Sequence, residues 1–238
     1  MSAFLYGVIL QWKLDIRSKS LLITCYVVPL LFFAVMGGIF TSINPESKVT
    51  LIQSMTILGV STGALIGLPP TLAEVYGSGI KKVYKANGVP LFLGLISVFL
   101  SSFLHLLIMS AVIYIAAPLA FDAMLPQSLP AYFGALAIFI VVTLSMGSVL
   151  GLAVKNQAIL TMVSQLVFLP SIMLSGIMFP ADLLPPIFRN VGKIFPASWG
   201  YKIMSGGGLS LSNLWPLLAI LAAAVLLCGF LLNKMKSE

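Results

Sequence analysis

Six apolar runs, each long enough to cross a lipid bilayer as a helix, constrain this chain more than any other feature. They lie at residues 21–40, 52–73, 91–117, 131–154, 158–179 and 215–232. About 20 apolar residues in helical form cross the hydrocarbon core of a bilayer. Backbone polar groups in lipid must pair within their own segment, and the runs lack the alternating ten-residue pattern of barrel strands. The sequence therefore predicts an all-α, polytopic membrane protein with six transmembrane helices.

The composition excludes most soluble classes of protein. Of the 238 residues, 60% are hydrophobic and 8% are charged, whereas soluble domains carry about 25% charged residues. Six spans leave little other chain, so we expect a single transmembrane domain over residues 1–238. Cys25 and Cys228 lie inside apolar runs and predict buried thiols rather than a disulfide. The N-terminal stretch has no basic region before its apolar residues, so we do not interpret it as a removable signal peptide.

The basic residues predict how the chain is oriented, because cytoplasmic loops carry an excess of lysine and arginine. With the N-terminus in the cytoplasm, nine basic residues lie on the inner side and four on the outer side. The inner nine are Lys13, Arg17, Lys19, Lys81, Lys82, Lys85, Lys155, Lys234 and Lys236, and the outer four are Lys48, Arg189, Lys193 and Lys202. We therefore expect a multi-pass protein of the cell membrane with both termini in the cytoplasm.

The first 19 residues carry a separate pattern. Apolar residues recur there at steps of three and four, namely Phe4, Leu5, Val8, Ile9, Trp12 and Ile16. Lys13 and Arg17 fall outside this stripe. Residues 1–19 therefore predict an interfacial amphipathic helix with Trp12 at headgroup depth. Packing of the same helix on the bundle is an alternative that does not exclude this one.

The stretch GVSTG raises the question of an enzyme, because it matches the G-x-S-x-G pattern around a nucleophilic serine. A serine protease needs a base beside its serine, and His105, the chain's single histidine, is the candidate base for Ser61. Gly59 and Gly63, however, have the four-residue spacing that lets membrane helices pack closely. We favour helix packing and keep an intramembrane serine protease as an alternative. With no Cys/His cluster and no acidic pair near a histidine, we predict no catalytic, cofactor-binding or metal site.

Three residues within the runs are candidates for lining a pathway. His105 is ionisable, Gln165 is a polar residue that we expect to bond across helices, and Pro29 removes a backbone donor. For His105 we favour a structural role in which the imidazole bonds to Ser101 one turn earlier. No acidic residue lies centrally in a run, which weakens proton-driven transport. Active transport would then take its energy from a partner, and a passive channel or scaffold is a further alternative.

The segment at residues 74–90 reads EVYGSGIKKVYKANGVP, a basic stretch between helix-ending residues. It predicts either a lipid-headgroup anchor or a docking element for a cytosolic protein. We favour docking, through Glu74, Lys81, Lys82, Val83, Tyr84 and Lys85. In the next inner turn, Asn156 and Gln157 are expected to form a cap.

The outer segment reads LSGIMFPADLLPPIFRNVGKIFPASWGY, and with the inner loop it resembles the permease subunits of type-two ATP-binding-cassette exporters. The inner loop is similar to the family pattern E-x-x-x-G-[ST], although its spacing differs. The outer segment matches the family's Ser-Gly, Phe-Pro, Leu-Pro and Pro-aromatic pattern closely. The matching residues are Ser175, Gly176, Phe179, Pro180, Leu184, Pro185, Pro196 and Trp199.

The resemblance implies a non-catalytic permease of an ATP-driven exporter. Residues 74–90 would form a coupling loop on a cytosolic ATPase, which would hold the ATP and magnesium. Residues 180–201 would form an outer re-entrant helical hairpin between spans five and six, acting as a gate. Its apolar side would be buried by Phe179, Leu183, Ile187 and Phe188.

The resemblance also bears on assembly and cargo. Two copies, or one copy with a related partner, would pair through the first and fifth runs. The weakly charged interior favours a hydrophobic or amphipathic cargo. We expect membrane lipid as a further partner and no nucleic acid.

Overall fold

The computed structural model describes residues 3–77, 84, 86, 88–178 and 181–237, with only the backbone of residues 3–5, 181, 207 and 237. All regular structure in that part of the chain is helical. The helices are α1 (Ala3–Arg17), α2 (Lys19–Ile43), α3 (Leu51–Gly77), α4 (Phe92–Phe121), α5 (Leu129–Ala153), α6 (Gln157–Met173), α7 (Pro186–Gly192), α8 (Pro196–Lys202) and α9 (Leu211–Ser237).

Five of these helices are long and apolar enough to cross a membrane, namely α2, α3, α4, α5 and α9. The helix in the fifth apolar run, α6, is apolar but has only 17 residues. It ends at Met173 and is followed by a turn at residues 174–176. The chain is thus an all-helical, multi-pass membrane protein, and the count of six spans stays a prediction.

The helix α3 lies at the centre of the bundle. All residues from Leu51 to Thr62 are buried, and α3 contacts α2, α4, α5 and α6. Its side chains Ile57 and Leu65 belong to the same fully buried set as Met109 of α4 and Phe139 of α5. The helices α2 and α9 lie at the periphery, and only 22% of the residues in the apolar window of each are buried.

Small residues let neighbouring helices approach α3 closely. A Cβ atom added at Gly147 of α5 would lie 2.0 Å from the carbonyl oxygen of Ala64, and one added at Gly63 would lie 2.4 Å from Leu106 Cδ2. One added at Gly59 would lie 2.7 Å from Met109 Cε. The prediction of close helix packing at Gly59 and Gly63 is therefore confirmed.

Two of the long helices contain a wide turn just before a proline. In α2 a π-helical turn covers Ile23–Val27 before Pro29, and in α3 another covers Gly63–Gly67 before Pro69. Proline lacks the N–H that would close an ordinary helical turn, and π turns often occur singly inside α-helices. Both helices continue past the proline, so these residues widen the helix without ending it.

The bundle has two ends, which we name from their connections. The loop end carries the connection from α3 to α4 and the turn at residues 154–156. The opposite end carries residues 44–50, 122–128 and 174–210.

Candidate functional site

The predicted docking segment lies at the loop end and is only partly described. Glu74 is exposed on the last turn of α3. Lys81, Lys82, Val83 and Lys85 lie outside the described residues. The docking role of this segment therefore stays a prediction.

Both ends of this segment are fixed to the bundle. Tyr76 Oη donates a hydrogen bond to the carbonyl oxygen of Leu91 over 2.6 Å, which joins the end of α3 to the start of α4. The backbone N–H of Val89 donates to the carbonyl of Tyr84 over 2.9 Å. The half-buried Tyr84 ring lies beside Gly94, where an added Cβ would be 3.0 Å from it. Tyr84 therefore holds the segment against α4.

The neighbouring turn between α5 and α6 is capped as predicted. Asn156 Oδ1 accepts hydrogen bonds from the N–H groups of Ala158 and Ile159 over 2.9 and 3.1 Å. Such a cap satisfies donors that the first helical turn leaves free. Gln157 Nε2 also donates to the carbonyl of Pro70 over 3.4 Å, which ties this turn to α3.

At the opposite end, the Ser-Gly pair reverses the chain after α6. Gly176 has a φ of 89°, a left-handed conformation that favours glycine. Ser175 Oγ donates to the carbonyl of Ile172 over 2.6 Å and accepts from the N–H of Ile177 over 3.3 Å. The chain therefore leaves the helix at this pair.

The other four residues of the predicted outer gate are Phe179, Pro180, Leu184 and Pro185. Phe179 and Pro180 lie outside the described residues. Leu184 is half-buried, and the exposed Pro185 precedes the first turn of α7. The gating role of these residues stays a prediction.

A cleft of about 580 Å³ opens beside the Ser-Gly turn. It lies between the end of α2, the start of α3 and the chain after Gly176. Its lining includes Ile39, Phe40, Ile43, Glu46, Ser54, Ile177, Met178 and Tyr201. The predicted gate thus borders a mostly apolar space.

The short helix α8 is inserted into the bundle and holds the outer segment there. Ser198 Oγ donates to the carbonyl of Gly192 over 2.7 Å, and Trp199 Nε1 donates to the carbonyl of Lys193 over 2.7 Å. A Cβ added at Gly200 would lie 2.5 Å from Phe139 of α5. α8 therefore sits directly on the core.

The apolar side chains of α7 and of the turn before it are exposed. Leu183 and Ile187 are 75% exposed and Phe188 is 52% exposed. These side chains are exposed in the single chain, and their burial against a second copy stays a prediction. The buried side is formed instead by α8, through Pro196, Ala197 and Gly200.

The three candidate pathway residues lie in different environments. Pro29 is buried and its Cβ would lie 3.2 Å from one added at Gly59. Gln165 is exposed on α6 and has no hydrogen bond to another helix among the described residues, in contrast to the expectation for the single chain. His105 is buried on α4. The structure does not bring the three together.

His105 does not bond to Ser101, so that prediction is wrong. The imidazole Nδ1 lies 2.8 Å from Tyr26 Oη of α2, while Ser101 Oγ donates to Asp15 of α1. Tyr26 and Asp15 are 79 and 86 residues away from their partners in the sequence. The competing partners come from other helices, which the spacing within α4 does not reveal.

The pairing that a serine protease would need is absent from the described residues. Ser61 Oγ is buried without a hydrogen-bond partner, and His105 Nδ1 is taken by Tyr26. A nucleophilic serine needs its base within hydrogen-bonding reach. The protease alternative is therefore not supported.

Sequence reasoning missed Asp15. Its side chain is only 3% exposed, whereas Ile9 and Ile16 of the predicted apolar stripe are exposed. The helix α1 thus turns Asp15 and the half-buried Trp12 toward the bundle. Burial raises the pKa of the Asp15 carboxyl above its ordinary value of 3.8, although hydrogen bonds from Ser101 and Gln11 oppose this. The one local signal was the four-residue spacing of Gln11 and Asp15.

Comparison with known proteins supplies the family. The chain is similar to a probable multidrug ABC transporter permease of Escherichia coli strain K12, with 31% identity over 105 residues, which is 42% of this chain. The same match is found in Escherichia coli O157:H7. It spans 28% of the length of each relative. The family model of the ABC-2 type transporters matches residues 3–208, which is most of the chain. Members of this family are non-catalytic membrane subunits of ABC transporters that work with an ATPase partner, and this chain belongs to the ABC-2 type transporter family.

Proposed function

We propose that this chain is the membrane subunit of an ATP-driven exporter, docked through residues 74–90 on a cytosolic ATPase. The observation that carries the proposal is the family match over residues 3–208. Support comes from the loop end, where Tyr76 joins α3 to α4 on either side of the segment. Displacement of the segment would therefore be passed to both helices.

The ATPase would supply the energy, and this chain would supply the path. ATP and magnesium would bind in the ATPase, whose change of state shifts the balance between two arrangements of the membrane helices. The centrally placed α3 connects the loop end to the cleft at the opposite end. The segment after Ser175 and Gly176 would gate that cleft.

The proposed exporter contains two permease copies that pair through α2 and α6. Apolar exposure alone does not favour these helices, because lipid accommodates apolar side chains equally well. Gln165 does favour α6, since an amide facing lipid lacks partners that a second chain could supply. We expect Gln165→Leu to lower the yield of cross-linked dimer in membranes, with Met162→Leu on the same exposed face as the control. An unchanged dimer would remove α6 from the interface.

The proposed cargo is hydrophobic or amphipathic and moves outward across the cell membrane. The mostly apolar cleft supports this class of cargo. The excess of basic residues at the loop end supports cytoplasmic termini. Cysteines placed at residues 81 and 85 should therefore resist a membrane-impermeant maleimide added to intact cells. Labelling from outside would overturn the orientation and the docking proposal with it.

Docking is tested by replacing Lys81, Lys82 and Tyr84 together with alanine. We expect the variant to lose copurification with the ATPase, while the wild-type protein retains it. A variant with Arg189→Gln and Lys193→Gln at the opposite end is the matched control for charge. Because Tyr84 also contacts α4, thermal stability in detergent is measured in parallel. A stable variant that still copurifies with the ATPase would refute docking at this segment.

A further inference from the structure

The helix α1 packs along α4 beyond the single hydrogen bond described above. A Cβ added at Gly7 would lie 3.5 Å from Ser97 Oγ. The Trp12 ring stacks on the His105 imidazole, with centroids 4.8 Å apart and an angle of 19° between the planes. The two helices thus touch on successive turns of α4.

Asp15 is the polar contact between these helices. Its carboxylate accepts hydrogen bonds from Ser101 Oγ of α4 over 2.5 Å and from Gln11 Nε2 over 2.8 Å. The ion pair recorded within the described residues joins Lys48 to Asp122, so Asp15 has only neutral hydrogen-bond partners there. Burying a carboxyl among neutral groups is costly, and an apolar side chain would pack without that cost. Packing alone therefore does not account for this residue.

The same cluster includes α2. Tyr26 Oη lies 2.8 Å from His105 Nδ1, and the Tyr26 ring meets the imidazole edge-on. His105 is thus held by Trp12 on one side and Tyr26 on another. Cys25 of α2 also lies near Asp15. Helices α1, α2 and α4 therefore meet at one buried polar cluster.

The helix is interrupted between α1 and α2. A single extended residue, Ser18 with φ of −78° and ψ of 105°, separates α1 from α2. Its Oγ accepts a hydrogen bond from the N–H of Leu21 and so caps α2 as a separate helix. α1 and α2 are therefore separate helices, and Asp15 lies three residues before the break between them.

We propose that Asp15 is a positioning residue, which by accepting the Ser101 hydrogen bond holds α1 against α4 so that both helices move as one body during transport. This inference rests on the proposed function. It assigns a mechanical role to a buried acidic residue outside the long helices. If it is correct, a covalent bond between α1 and α4 can replace the hydrogen bond.

The test is a disulfide between cysteines introduced at Gly7 and Ser97. A Cβ added at Gly7 would lie 3.5 Å from Ser97 Oγ, with Ser97 Cβ beyond 4 Å, toward the upper limit of the Cβ···Cβ range of about 3.5 to 4.5 Å for a disulfide. The readout is ATP hydrolysis by the copurified complex in liposomes. We expect the oxidised Gly7→Cys/Ser97→Cys protein to hydrolyse ATP within twofold of its reduced form. The two single-cysteine variants control for pairing with Cys25 or Cys228.

The second arm is a rescue. Asp15→Ala should lower hydrolysis at least threefold, while Asp15→Asn, which keeps an acceptor oxygen, should stay within twofold of wild type. Oxidising the cysteine pair in the Asp15→Ala background should restore hydrolysis to within twofold. A purely structural defect in folding would not be reversed by forming this bond in the assembled protein.

The outcomes separate the two proposals. Inhibition by the disulfide in the Asp15-containing protein would mean that the helices must part, and would overturn the inference alone. Failure of the rescue would do the same. If no ATPase copurifies with the wild-type chain, the proposed function fails and takes the inference with it. If Asp15→Ala does not fold, ATP hydrolysis by the oxidised and reduced Gly7→Cys/Ser97→Cys protein still tests whether α1 and α4 move as one body.

Discussion

Helices α2 and α3 contain the same local irregularity in different surroundings. Each has a π turn that precedes a proline. In the apolar window of α3, 94% of the residues are buried, compared with 22% in that of α2. The missing N–H of proline explains the shared turn, and the position of each helix in the bundle explains its burial. The exposed positions of α2 should therefore tolerate substitution better than the buried positions of α3.

The largest expected effect comes from filling the contact between α5 and the π turn of α3. Gly147→Ala places a Cβ 2.0 Å from the carbonyl oxygen of Ala64, and a backbone atom cannot yield by changing rotamer. We expect a loss of about 3 kcal/mol or more in the free energy of unfolding. Unfolding in mixed detergent–SDS micelles measures it. Gly38→Ala in α2, whose nearest neighbour would lie at 3.8 Å, is the control.

Truncating leucines tests the same difference without overpacking. Leu58 of α3 is 2% exposed and Leu31 of α2 is 59% exposed. Lipid is as apolar as leucine, so Leu58→Ala should cost mainly the cavity term, about 2 kcal/mol, and Leu31→Ala close to nothing. The same micelle titration compares the two. Equal losses would mean that α2 is covered as fully as α3, for example by a second copy.

A smaller effect is expected where a flexible side chain can move aside. Gly63→Ala would bring its Cβ to 2.4 Å from Leu106 Cδ2, the end of a rotatable side chain. We expect a loss of about 1 kcal/mol, partly offset by the better helix propensity of alanine. The double variant Gly63→Ala/Leu106→Ala should show non-additivity in a double-mutant cycle. Strict additivity would show that the two side chains do not clash.

The smallest effect is a pH dependence at Asp15, where α1 meets α2 and α4. The pKa of this carboxyl is raised in the folded protein, so the unfolded chain releases the proton first, near pH 3.8. Between that pH and the raised pKa, the unfolding free energy of the wild type should fall with rising pH relative to Asp15→Asn. The groups that face Asp15 are Gln11, Ser101, His105 and Cys25. A pH-independent difference between the two proteins would contradict the raised pKa.

Much of the fold could be predicted because the signals were local. The length of the apolar runs predicted the long helices, the spacing of Gly59 and Gly63 predicted close helix packing, and Asn156 predicted the cap of the turn before α6. These features depend on neighbours within a few residues.

The features that were missed depend on distant partners. Nothing near Asp15 shows that Ser101 lies against it, and nothing near His105 shows that Tyr26 competes with Ser101 for its ring. The apolar stripe of α1 did not reveal which side faces the bundle, because a membrane protein has apolar surroundings both inside and outside the bundle. In a membrane protein, hydrophobic periodicity therefore does not distinguish a helix face that packs on the bundle from one that faces lipid. Ile187 of α7, an apolar residue that is exposed in the single chain, is a further example.

The π turn of α3 also sets the register of the sequence on its two sides. Such a turn accommodates one residue more than an α turn. Deleting one residue within Gly63–Gly67 would give an ordinary helix whose two halves still present the same faces to their neighbours. A deletion elsewhere in α3 would rotate one half by about 100°, because each α-helical residue turns that far. Sequences in which this helix is one residue shorter should therefore have lost that residue here.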